Sequence, residues 1–99
     1  MSRMTNLTYF YTAQKNVTTS GTPVQLASQS VPEGVKVIVK GKDGNTGTIT
    51  FGFSSADALN TGTAHFKLLP NQANEFQVTN TDLIWIDATV SGEGVEVFF

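Results

Sequence analysis

GVKVIVKGKDGNTGTITFGF, residues 34–53, contains two runs in which side chains alternate with a period of two. Val35, Val37 and Val39 share one face of the first run and Lys36, Ile38 and Lys40 the other, because successive strand side chains point to opposite sides. In the second run Ile49, Phe51 and Phe53 point one way, and Thr48, Thr50 and Gly52 the other. Both runs are short and rich in β-branched and aromatic residues, which suits a pleated strand better than a helix. Gly41, Asp43, Gly44, Asn45 and Gly47 place turn-forming residues between them. The expectation is a central hairpin of an all-β domain, with the valine and phenylalanine faces in its core.

Outward from this segment the same alternation recurs. Met1–Asn6 is polar and aperiodic and reads as a mobile N-terminal arm, leaving residues 7–99 as one β-sandwich domain. Leu7, Tyr9 and Tyr11 share a face, Asn16–Ser20 and Thr22–Ala27 are threonine- and valine-rich, and Pro23 suits a strand start or an edge. Ser28–Gly34 is a turn, with Pro32 expected at its second position and Gly34 at its end. Ser54–Thr63 is the one long break, with room for a single helical turn at Ala56–Leu59. Ala64–Leu69 and Glu75–Thr79 form a second alternating pair around Pro70, with Phe66, Leu68, Phe76 and Val78 inward. Leu83–Val90 is the most apolar strand, and Val95–Phe99 follows the Ser91–Gly94 turn. About eight short strands with turns every 8–12 residues predict a sandwich or barrel.

A chain of 99 residues supports one thin core, burying roughly 65% of its extended surface. Only 14% of residues are charged, against roughly 25% in an ordinary soluble domain, so much of the surface is neutral or covered by a partner. A net charge of −2 argues against strong binding to a phosphate backbone. The charges divide unevenly: residues 1–50 carry five basic side chains against Glu33 and Asp43, and residues 51–99 carry Lys67 against six carboxylates. With no cysteine, disulfides and thiolate metal sites are excluded. No apolar run approaches the roughly 18 residues of a membrane-spanning helix, and the start lacks a signal-peptide core, so synthesis in the cytosol is expected.

The informative residues are apolar side chains on faces that should be polar. Ile84, Ile86, Ala88 and Val90 make a core face, which leaves Leu83 and Trp85 beside Asp87 and Thr89 on the outside. Ile38 lies between two lysines, Phe98 alternates away from Val95, Val97 and Phe99, and Tyr9 and Tyr11 join the same set. Three covers fit these residues. A bulge could shift the faces or the arm fold back; a subunit or partner interface could bury them; or Trp85 could form a platform for a sugar ring. The basic rim of Lys36 and Lys40 around Ile38 would suit an acidic neighbour such as Asp82, Asp87 or Glu96 on another subunit.

Nothing points to catalysis, a cofactor or a metal. His65 is the single histidine and alternates onto an exposed face with Lys67. Asp82 and Asp87 are separated by an odd offset and diverge from one strand, as do Glu93 and Glu96. Asp43, Gly44 and Asn45 open like a calcium loop, but the twelfth position is Ser54 where glutamate is needed. A non-enzymatic protein is expected.

The segments VKVIVKGKDGNTGTITFGFS, NTGTAHFKLLPNQANEFQV and LIWIDATVSGEGVEVFF, within Val17–Phe99, resemble small virion proteins of tailed bacteriophages, of the capsid decoration (cement) or head-fibre type. The resemblance implies a jelly-roll antiparallel β-sandwich that forms a homotrimer on the capsid exterior and braces the major capsid protein, without nucleic acid or membrane contact. It carries over no catalytic residue. The alternative is a carbohydrate- or receptor-binding module of a fibre or tail, using Trp85 or the Ser54–Thr63 loop.

Overall fold

The structure is a computed structural model that describes residues 11–62 and 66–99. The expected Met1–Asn6 arm, Leu7, Tyr9 and His65 lie outside the described residues. Eight strands run through the described residues: β1 (Thr12–Asn16), β2 (Val24–Gln25), β3 (Val37–Gly41), β4 (Ile49–Gly52), β5 (Phe66–Leu68), β6 (Ala73–Phe76), β7 (Trp85–Ala88) and β8 (Gly94–Phe98). One helical turn, α1 (Ser55–Ala58), lies between β4 and β5.

Every strand pairing is antiparallel. The first sheet has the order β1-β8-β3-β6 and the second β2-β7-β4-β5. Strand one pairs with eight, two with seven, three with six and four with five. These are the rungs of one long antiparallel ribbon, wound alternately into two sheets. That winding is a jelly roll.

Val37 and Val39 from β3, Ile49 and Phe51 from β4, Ile84 and Ile86 around β7, and Val95 and Val97 from β8 fill the space between the sheets, with Leu26, Leu68, Ala88 and Phe99. The period-two pattern therefore assigned most inward faces correctly. Three assignments are corrected. Phe53 is 56% exposed because β4 ends at Gly52 and the chain bends into α1. Phe66 is 60% exposed because it opens the edge strand β5 and is covered on one side, by Phe51 at a ring distance of 5.6 Å. Val90 is exposed because it starts the turn closed by Glu93 N–H donating to its carbonyl.

The expected hairpin of residues 34–53 is also corrected. Strands β3 and β4 belong to different sheets, and residues 42–48 are an arch that crosses between them. Both its strands turn their apolar faces into the same core, so alternation reads alike in a hairpin and an arch. The arch is held by the turn before β8. The Asn45 side chain pairs with the Gly94 backbone in both directions, at 2.9 and 3.3 Å, and the Glu93 carboxylate accepts from Thr46 N–H, Thr46 Oγ1 and Gly47 N–H. Similarly β5 and β6 are not partners: the turn between them also passes from one sheet to the other.

Candidate interaction surfaces

The outward face of the first sheet places side chains in rows. Thr12, Phe98, Ile38 and Glu75 are consecutive cross-strand partners, and Gln14, Glu96, Lys40 and Ala73 form the next row. Ile38 and Phe98 thus sit side by side at the centre, both half-buried. The lysines beside Ile38 are already engaged within the chain: Lys36 Nζ lies 3.8 Å from Glu75 and Lys40 Nζ 3.9 Å from Glu96. Such exposed pairs contribute about 0–1 kcal/mol and mainly fix side-chain positions. A concavity of about 750 Å³ along Lys36, Ile38, Ala73, Glu75 and Gln77 has the size of a ligand site, but it is an open trough with a charged rim and does not enclose a small molecule.

The second sheet is different, because its outward face is covered by its own chain. Thr50 and Asp87 are cross-strand partners on that face, as are Gly52 and Trp85. A side chain at Gly52 would meet Asp57 Cβ at 2.5 Å, so α1 rests directly on the glycine. Ser54 caps α1 by accepting from Asp57 N–H, and Thr50 Oγ1 donates to the Ala58 carbonyl.

Asp87, expected on an exposed face, is fully buried there. Its Oδ1 accepts from Gly21 N–H and its own neighbour Ala88 N–H, and its Oδ2 from Asn60 N–H at 2.8 Å. Asn60 Nδ2 also donates to Ser20 Oγ and the Ala88 carbonyl. Three backbone donors satisfy a carboxylate that has lost its water, so this is a clamp on two loops and not a carboxylate available to a partner.

The remaining expected interface residues divide. Trp85 is half-buried at the end of β7, beside Gly52 and Gln25. Leu83 lies outside the strand, in a 3-10 turn at Thr81–Leu83, and is exposed. Tyr11 packs against the core, its ring 5.3 Å from that of Phe99. The structure therefore brings Ile38 and Phe98 together and leaves Trp85 on the other sheet and Leu83 in the turn that precedes β7. Tyr9 lies outside the described residues.

Sequence reasoning missed the largest exposed aromatics. Phe53 and Phe66 lie against the edges β5 and β6, where Phe76 meets Phe51 edge-on at 4.8 Å and Phe53 at 6.2 Å. Their available signal was position, next to the one long loop. Alternation alone sent both inward.

The fold and surfaces define a jelly-roll β-sandwich in which the described residues cover one outer sheet face and leave the other open. No protein-family model, no curated protein and no solved structure matches the chain.

Proposed function

We propose that this chain is a capsid decoration protein of a tailed bacteriophage, binding as a homotrimer to the outside of the assembled head and bracing the major capsid protein across subunit boundaries. The observation that carries this reading is the outward face of the first sheet, where the half-buried Ile38 and Phe98 adjoin at the centre of a four-stranded surface framed by internally paired charges. A ligand that binds only the assembled shell stabilises it by mass action, and many copies multiply a modest contact. The low charged fraction and the jelly-roll winding support the same reading, the latter as an analogy of fold.

The test adds purified protein to shells that lack it. Saturable binding at a fixed ratio to the capsid subunit is expected, with a higher temperature of shell disruption. Absence of saturable binding would sink the proposal. Ile38→Asp, beside Glu75, is expected to abolish shell binding while the thermal midpoint of the free protein falls by only a few degrees. Comparable loss of fold and binding would make Ile38 a core residue instead.

A carbohydrate- or receptor-binding role has less support. Of the loop's polar groups, Ser54 and Asn60 are occupied within the fold, which leaves fewer donors and acceptors to orient a sugar near Trp85 or Phe53. Quenching of Trp85 fluorescence by one class of glycan would revive it.

A further inference from the structure

We infer that β6 is a self-pairing edge, through which two copies of this chain join antiparallel across a two-fold axis and extend the first sheet from four strands to eight. Among the described residues the sandwich has four edge strands, and three carry a lysine or follow a proline, which discourages pairing. Strand β1 turns Lys15, the partner of Val95, toward the core side; β2 is two residues long and follows Pro23; β5 is three residues with Lys67 at its centre. Strand β6, Ala73–Phe76, has neither proline nor lysine, and only Phe76 is withdrawn from solvent.

The turn before β6 fixes which of its backbone groups face outward. Gly41 opposes two residues there: Asn71 N–H donates to the Gly41 carbonyl at 3.0 Å, and Gly41 N–H donates to the Gln72 carbonyl at 2.8 Å. With Asn71 at φ 69°, this is a glycine-type bulge. From Gln72 onward the ladder alternates, so Asn74 and Phe76 bond toward β3 while the N–H and C=O of Ala73 and Glu75 point away from the sheet.

An antiparallel pair centred on Asn74 sets Ala73 of one copy opposite Glu75 of the other, twice. These are the outward-facing residues, so each match forms a closely spaced pair of backbone hydrogen bonds. The small Ala73 leaves room for the Glu75 side chain, already paired with Lys36 of its own chain, and no like charges stand opposite one another. The two Asn74 amides meet on the inner side, as partners able to donate and accept.

On that side of the sandwich lie the exposed rings of Phe53 and Phe66, which the contact brings toward their counterparts beneath the joined sheet. At 56% and 60% exposure they offer about 200 Å² per copy. This is well below the roughly 800 Å² per partner of a standard stable interface. The pair is therefore weak, with Kd on the order of 0.1 mM, suited to contacts between molecules already held close together.

The contact does not depend on the decoration role. Its test is sedimentation equilibrium and backbone amide exchange from about 10 µM to 1 mM. The association expected is concentration-dependent, and it slows exchange at Ala73 and Glu75 while Asn74 and Phe76 are protected at every concentration.

Ala73→Glu puts carboxylates opposite Glu75 of the partner and is expected to weaken this association at least tenfold; within one chain it faces Lys40, so the fold is retained. Ala73→Lys is expected to preserve or tighten it. Absence of concentration-dependent protection at Ala73 and Glu75 up to 1 mM, or equal affinity in the Glu and Lys variants, overturns the inference. A failure to bind shells leaves it standing.

Discussion

Asn71 holds the left-handed conformation, φ 69°, at the third position of the Leu69–Gln72 turn, where Pro70 sets the second. A turn of this kind needs a positive φ at that position, which glycine adopts without cost and asparagine tolerates. Asn71→Gly is therefore expected to leave stability unchanged or raise it by up to about 1 kcal/mol, and Asn71→Val to lower it by about 1–2 kcal/mol, read by urea denaturation. Asp87→Ala removes the buried acceptor of three backbone N–H groups, one of them buried and two part-buried, and should cost about 3 kcal/mol, with faster amide exchange at Gly21 and Asn60. Glu93 supplies the pH dependence. Backbone hydrogen bonding from Thr46, aided by Gly47 N–H and the Thr46 hydroxyl and opposed by desolvation, lowers its pKa below the ordinary glutamate value. Its contribution is thus complete above the unfolded-state pKa, near 4.3, and is lost as pH falls through the folded value. Glu93→Gln should flatten that acid limb of the stability curve, with little added pH dependence above pH 6.

Among the elements, the arch at residues 42–48 and the α1 loop decide what the two sheets can do. The arch moves the chain from the open sheet to the covered one, and α1 supplies the cover. Gly52→Ala would push Asp57 and the Ala58 backbone off β4, at an expected cost of about 2 kcal/mol and with loss of protection in residues 55–60 before global unfolding. Strand alternation made most of the inward side chains legible, because burial on one face leaves a period of two. It could not show the arch, since the tie from Asn45 to Gly94 joins positions 49 apart and has no local signature. Nor could it reveal Asp87 as buried: the donors that satisfy it come from two loops, and in sequence it is one more polar residue on an outer face. Of the expected interface, the Ile38–Phe98 neighbourhood follows from alternation once the strands are paired. Leu83 was misplaced because a 3-10 turn anchored by Asn80 interrupts the apolar run before β7.

At the scale of the molecule, each sheet interleaves strands from opposite ends of the chain, so its stability rests on contacts between residues distant in sequence. Closing such loops before any contact forms makes refolding slow, expected in milliseconds to seconds by stopped-flow tryptophan fluorescence from Trp85. The sheets should also respond differently to salt. Of the two ion pairs on the first sheet's outer face, Lys36–Glu75 is exposed and Lys40–Glu96 half-buried, and both are long, so stability should change by less than about 1 kcal/mol between 0.05 and 1 M sodium chloride.

Strand β8, described above as the partner of both β1 and β3, gives synthesis a definite order. Until residues 94–98 leave the ribosome, β1 has no neighbour in its sheet among the described strands, and β3 has only the edge strand β6. Until then the nascent chain carries Val37 and Val39 in a sheet that lacks its central strand. A stalled or truncated product ending before Gly94 would be a substrate for chaperones or proteases, and the open side of its half-built sheet would be the place where it aggregates.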